Sequence, residues 1–417
     1  MPTVGLASEP FVNDITLPSK HYMMEGVENR LYSQTFLKRW RPYNDFVRYG
    51  GSVEYPKGGR LEQGAMIDNP KDGDDLEITL INGDYFDTLA HSKAIIRAAT
   101  PGVGDKETVV QFLGDSFTQG IYFKHAFIES GYVPNVKLVG IRIVADYPEY
   151  NHEGRGGWKL DTYFKCRPNN EFAYNPYYQP LGEYRYWGSV EFWRNVRYVK
   201  EEKPSGPFEL TYHCSNYNNE RFGEDGYLLS PKSGDVMYSV ADGCYIEWSR
   251  GKWREIKTLD SWDFDYAKYL DMWELESPEF LVVMLGLNDF RDLDLPLDFT
   301  LWNERMERLL VSYRAAVPEG RLILATPCSS CGSLNNERGD FTTRQNALMW
   351  EHRRNIIEVF DGREDEGIYV VDASITTDNE GGYNIKDGIQ SGNPHPYPGY
   401  PQLGVPIAAF VQYYREK

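Results

Sequence analysis

Basic residues are scarce in this chain. Of 417 residues, 44 are Lys or Arg against 62 Asp or Glu, a formal net charge of −18. Such a surface repels phosphate backbones and anionic headgroups, which argues against nucleic-acid and membrane-surface partners. Cysteine is scarce too: the chain has five, Cys166, Cys214, Cys244, Cys328 and Cys331. An odd and small number excludes a disulfide scaffold and leaves the compartment open. No apolar run reaches the ~18 residues that a membrane span needs. The opening MPTVGLASEPF has neither a basic n-region nor a long apolar stretch, so no signal peptide is visible in it. Internal repeats and low-complexity tracts are also missing.

Rings, by contrast, are abundant. Aromatics make up 15% of the chain, with 31 Tyr and 10 Trp. Flat amphipathic rings at that density need a home, and sugar-binding surfaces are one place that uses them. At 41% hydrophobic residues the chain is too apolar to be disordered.

Two regimes follow one another. Up to about Thr100, short β segments are broken by Gly, Pro and Asp. Leu76–Ile81 alternates and meets a turn at Asn82-Gly83-Asp84, and Ser92–Ala98 reads as a further strand. This predicts a small N-terminal antiparallel, sandwich-like β domain with its linker, residues 1–105. From Val109 strands alternate with helices. Strands are predicted at Val109–Leu113, Lys137–Ile143, Phe280–Leu285, Arg321–Ala325 and Ile368–Val371. Helices are predicted at Thr118–Ser130, Thr300–Val317, Arg344–Phe360 and Leu403–Tyr414. That alternation predicts an α/β fold over residues 106–417, a doubly wound parallel sheet of about five strands. A ring-rich insertion at about 160–259 interrupts it, with a β-hairpin expected around Tyr245-Ile246-Glu247-Trp248 and Trp253.

Four short segments fall where an open α/β sheet binds ligands, beyond the carboxyl ends of its strands. Gly114-Asp115-Ser116 follows the first strand, placing a Ser beside a helix N-terminus; an N-cap Ser would look the same. Gly156-Gly157-Trp158 lies in a loop where glycine lets a backbone N–H face a site unobstructed. Asn288 follows the third strand, where its amide could donate to an oxyanion or close an Asx turn. His395 sits between two prolines before the closing helix. The pair Cys328 and Cys331 is a lone CxxC, poor support for zinc, and reads as a thiol pair or local disulfide without a catalytic role.

In this order the four segments resemble the four blocks of the SGNH (GDSL-type) hydrolases. The opening residues and β domain look like those of multidomain carbohydrate esterases of polysaccharide-degrading bacteria. The resemblance implies Ser116 as nucleophile and His395 as base. It also implies an oxyanion hole from the Ser116 and Gly157 N–H groups and the Asn288 side chain, with Gly156 the competitor of Gly157. The family usually carries an Asp three residues before the His, where this chain has Gly392. Asp387, a nearby carboxylate, or a backbone carbonyl is therefore expected to orient His395. Trp158, Trp187 and Trp193 are candidate sugar-stacking rings, although Trp187 and Trp193 could equally be core residues. The implied activity is removal of O-acetyl or similar short acyl groups from a carbohydrate, without metal or organic cofactor, in a secreted or periplasmic setting. A lipase or thioesterase on longer acyl chains, and an inactive hydrolase scaffold that binds glycans, are the alternatives.

Overall fold

The computed structural model describes residues 14–38, 45–55, 60–61, 64–120, 123, 125–144, 147–164, 175–180, 196–200, 208–210, 231, 236–239, 244–249, 251–256, 262–328, 341–378, 381–386, 389–390 and 395–415. Its centre is a seven-stranded sheet. Thr108–Gly114 pairs in parallel with Val136–Val139 on one side and Phe280–Met284 on the other, followed by Arg321–Ala325 and Ile368–Val371. In chain order these five strands lie 2-1-3-4-5 across the sheet. The order reverses beside Thr108–Gly114, so the switch point opens between that strand and Phe280–Met284. Both strands are buried along their whole length, in keeping with their mainly apolar side chains.

The predicted second strand is divided. Val136–Val139 and Arg142–Val144 are separate strands, broken at Gly140, where a Cβ would lie 2.6 Å from the His152 carbonyl. Arg142–Val144 turns back antiparallel onto Tyr147–Gly154, a strand that sequence patterning did not reveal. Its end pairs in parallel with Thr108–Gly114, Glu153 opposite Leu113 and Gly154 opposite Gly114. The sheet thus has seven strands, the five expected parallel ones among them, and the Gly-rich loop leaves Tyr147–Gly154 and not the Lys137–Ile143 stretch.

Helices cover both faces. Thr300–Ala316 buries Trp302, Met306, Leu309, Leu310 and Tyr313 on one stripe. Phe341–Phe360 and Tyr400–Arg415 complete the layers. The helix predicted over Thr118–Ser130 is not continuous. A single turn, Ser116–Gln119, stops at Gly120 in extended backbone, and a separate wide turn, His125–Glu129, follows. Among the described residues, no helix is long and apolar enough to cross a membrane.

The N-terminal sheet is mixed, not purely antiparallel as expected. Phe46–Gly51, Asp75–Ile81 and Thr88–Ala99 run antiparallel, but Lys20–Met24 joins Thr88–Ala99 in parallel. It packs directly on the α/β unit. Tyr22, Met24 and Ala99 share a core with Ile407 and Phe410 of the last helix. Trp350 Nε1 donates to the Phe36 carbonyl at 2.9 Å, and Ile375 enters the N-terminal core.

Within the insertion, Cys244–Ser249 and Lys252–Ile256 form the expected hairpin, Trp248 opposite Trp253. It belongs to a five-stranded antiparallel sheet. Much of the ring surplus is core. Gln111 accepts from Tyr266 Oη at 2.6 Å and donates to Tyr269 Oη at 3.1 Å, and Tyr269 donates to Glu153 at 2.8 Å. Tyr163, Tyr177, Tyr266, Tyr269 and Tyr313 are all buried together. A phenol suits that place because its ring fills apolar space while its hydroxyl satisfies a buried polar partner.

Candidate active site

Three site segments leave the sheet from one row. Gly154, Gly114 and Met284 are level across three adjacent strands. After them come Arg155–Gly157, Asp115–Ser116 and Leu285–Asn288 respectively. Glycine at two of these positions has a steric cause. A Cβ on Gly114 would lie 2.2 Å from Thr118 Oγ1 and 2.6 Å from the Met284 carbonyl oxygen. A Cβ on Gly154 would lie 2.2 Å from the Gln119 nitrogen. The turn Ser116–Gln119 can therefore seat directly on the sheet edge.

Ser116 opens that turn and is half-buried. It is not the cap: Asp115 is, its carboxylate accepting from the Phe117 N–H at 2.9 Å. Asp115 is fully buried, and burial pushes its pKa up to about 7, against the pull of the Phe117 N–H, with Asp289 adding to the rise. Asp289 is likewise raised to about 7, first by burial, while its carboxylate accepts from the Leu160 N–H at 3.0 Å.

Asn288 lies in the turn Leu287–Phe290, which follows Gly286, and its side chain reaches back to the first strand. Its Nδ2 donates to Asp115 Oδ2 at 3.1 Å and to the Trp158 carbonyl at 3.2 Å. Both amide hydrogens are engaged, and they tie all three segments together. Gly156 is close to the serine: a Cβ there would stand 3.9 Å from Ser116 Cβ. Its N–H donates to Gln119 Oε1 at 2.6 Å, whereas Gly157 takes a φ of +75°.

The loop is braced from below. Arg155 pairs with Glu153 at 2.7 Å, both out of solvent, and the Arg155 N–H donates to the Gly114 carbonyl at 2.8 Å. Tyr163 Oη reaches the same carbonyl at 2.7 Å. Trp158, expected to stack on sugar, is placed differently: it is 0% exposed, in edge contact with Tyr163 and capped by the Arg155 guanidinium. Its ring is core, because the loop turns inward at that point to meet Asn288.

His395 comes to the same edge from the far end of the chain. Its ring lies 5.3 Å from that of Phe117, the residue after Ser116. Burial, and secondarily the Arg291 charge, lower its pKa to about 4. Its Nδ1 is 2.6 Å from the Tyr400 hydroxyl, a partner that the sequence did not single out. Asp387, Gly392, Trp187, Trp193 and Cys331 lie outside the described residues. Cys328 is a buried thiol whose pKa is pushed up to about 12 by burial, too high for a nucleophile.

A cavity of about 490 Å³ lies elsewhere, where the N-terminal unit meets the last helix. Tyr22, Arg30, His125 and Gln402 are among its walls, and none of Ser116, Asn288 and His395 is.

No protein-family model matches the chain, and no curated protein matches it either. Solved structures with a similar arrangement include an acetyl esterase variant with an acetate ion, 13% identical over 73% of this chain and 98% of that one, with a TM-score of 0.33. A carbohydrate esterase family 2 enzyme with its carbohydrate-binding domain, from Corynascus thermopiles (Myceliophthora fergusii), is 10% identical over 93% and 92%, with a TM-score of 0.29. A peptidoglycan O-acetylesterase is 11% identical over 73% and 90%, also with a TM-score of 0.29. Likenesses this loose carry no weight for function, which rests on the side chains at the sheet edge.

Proposed function

We propose that the chain is a serine esterase that removes O-acetyl or similar short acyl groups from a carbohydrate. The observation that carries this reading is the contact of the His395 ring with Phe117, the residue next to Ser116. The serine begins a helical turn at the sheet's switch point, and the histidine ring, from the other end of the chain, rests on the adjacent Phe117 at 5.3 Å. Ser116 Oγ attacks the ester carbonyl while His395 takes its proton. The imidazolium returns that proton to the departing sugar oxygen, leaving an acyl-serine. Water, deprotonated by the same histidine, attacks the acyl carbon and releases the acid, restoring Ser116.

Developing negative charge on the carbonyl oxygen is met by the Ser116 and Gly157 N–H groups and by Asn288. Gly157 is taken as the loop donor from the resemblance of the four segments, and its φ of +75° is one that favours glycine. Asn288 joins by exchanging one of its two present bonds for the oxyanion, which keeps its amide oriented until the charge appears. Carbohydrate as the leaving group rests on the rings of the insertion, including Trp187 and Trp193, and on the resemblance of the four segments to SGNH esterases. Export from the cytoplasm fits a polymeric substrate.

The test is acetate release from a panel of acetylated polysaccharides, with labelling by a serine-directed phosphonate. Ser116→Ala should abolish both with the fold intact. Labelling at another serine, or retained turnover in Ser116→Ala, rejects the assignment; indifference to every acetylated glycan rejects the substrate class.

A further inference from the structure

We infer that Tyr400 is the positioning residue that holds His395 in its working tautomer, in place of the carboxylate that Gly392 cannot supply. The inference rests on the reading of Ser116 and His395 as nucleophile and base. It concerns what the imidazole needs on its other side.

A neutral imidazole takes a proton from serine at one nitrogen only if the other carries hydrogen. In a Ser-His-Asp triad a carboxylate enforces this, because it can only accept. Here the Tyr400 hydroxyl stands 2.6 Å from Nδ1, within hydrogen-bond range. A phenol can accept from Nδ1–H while donating its own hydrogen elsewhere. In that arrangement Nε2 carries the lone pair that takes the serine proton.

The placement of Tyr400 is itself fixed. It is the first residue of the closing helix, Tyr400–Arg415, and only 3% exposed. Its ring stands edge-on to Phe117 at 6.2 Å, and Tyr397 is edge-on to it at 5.7 Å. Phe117 therefore touches both the histidine and the tyrosine that orients it. A side chain locked by packing loses little entropy when its hydroxyl binds, so one neutral hydrogen bond suffices to hold the ring. A phenol, unlike a carboxylate, brings no negative charge to steady the imidazolium.

Tyr400→Phe separates packing from the hydroxyl, since it keeps the ring. With para-nitrophenyl acetate, kcat should fall about 10- to 100-fold, the scale of one lost hydrogen bond at a catalytic group, with KM little changed. The rate of phosphonate labelling at Ser116 should fall by the same factor. A tyrosine that only packs would leave both rates at the wild-type value, and that result overturns the inference. Nitrogen chemical shifts of His395 in the unaltered protein give a reading that does not depend on the variant folding. An Nδ1-protonated ring at neutral pH supports the assignment, and an Nε2-protonated ring overturns it. Asp387→Asn is the competing arm: a loss of three orders of magnitude there, beside a silent Tyr400→Phe, assigns the role to Asp387. If the wild-type protein is not labelled at Ser116, the esterase reading falls and Tyr400 falls with it; labelled protein with a silent Tyr400→Phe rejects Tyr400 alone.

Discussion

Asn288 donates its side-chain amide to the buried carboxylate of Asp115, 3.1 Å away, across the boundary between two adjacent strands. The cap of the serine's own helical turn is thereby the anchor of the proposed oxyanion donor. Asn288→Ala should lower kcat by ~10²–10³ with little change in KM, as loss of a single oxyanion donor does. Steady-state kinetics on para-nitrophenyl acetate check this. A pure KM effect would mean that the amide binds substrate and nothing more.

The acid limb of kcat/KM reports the free enzyme's base. Burial and the Arg291 charge hold His395 at about 4, so activity should persist down to weakly acid pH and fail near that value. Removing the positive charge in Arg291→Leu makes protonation easier and should move the limb upward. A pH–rate profile of both proteins decides it.

Stability should change with pH between about 4 and 7, where buried groups of opposite sign titrate. Burial lowers the folded-state values of His21 and His352 to about 4 and of His152 to about 3. Their contribution is therefore present above 6.5, the unfolded value, and is lost as pH falls toward 4. Asp115 and Asp289 act oppositely: raised from 3.8 to about 7, they favour the fold at low pH and cease to do so as pH rises through 7. Thermal midpoints across pH 4–9 in the wild type and in Asp289→Asn should differ in slope between pH 4 and 7, the variant lacking one opposing fall there; identical curves would contradict the assignment.

Gly286 has a φ of +129°, and a Cβ there would sit 2.0 Å from His352 Nε2, which donates to the Leu285 carbonyl at 3.1 Å. Gly286→Ala combines backbone strain with overpacking against a buried ring and should cost about 2–5 kcal/mol in urea unfolding. Asn288 is two residues on, so turnover should fall as well.

The Glu153–Arg155 pair is wholly buried under the Gly156-Gly157 loop. Glu153→Leu or Arg155→Met alone strands a charge and should cost ~3–5 kcal/mol. The double variant should lie nearer the wild type than either single one. Additive losses in denaturant titrations would show that the two side chains act independently.

By itself the sequence determined the parallel sheet and most of its helices. The runs Val109–Leu113, Phe280–Leu285, Arg321–Ala325 and Ile368–Val371 are mainly apolar because strands covered on both faces have little polar side to show, and the one polar residue inside the first, Gln111, is buried against Tyr266 and Tyr269. It also determined which residue types stand at the carboxyl ends of those strands. Tertiary structure decided what a local pattern does not contain. Tyr147–Gly154 is polar and carries a proline, yet it is a strand because Leu113 and Gly114 offer it an unpaired ladder. Trp158 reads like any exposed ring until the loop turns it under Arg155. Tyr400 is one tyrosine among 31, distinguished only when the last helix brings its hydroxyl to His395. Periodicity reports whether a face is buried; which partner meets it depends on contacts between residues far apart in the chain, and only the folded arrangement fixes those.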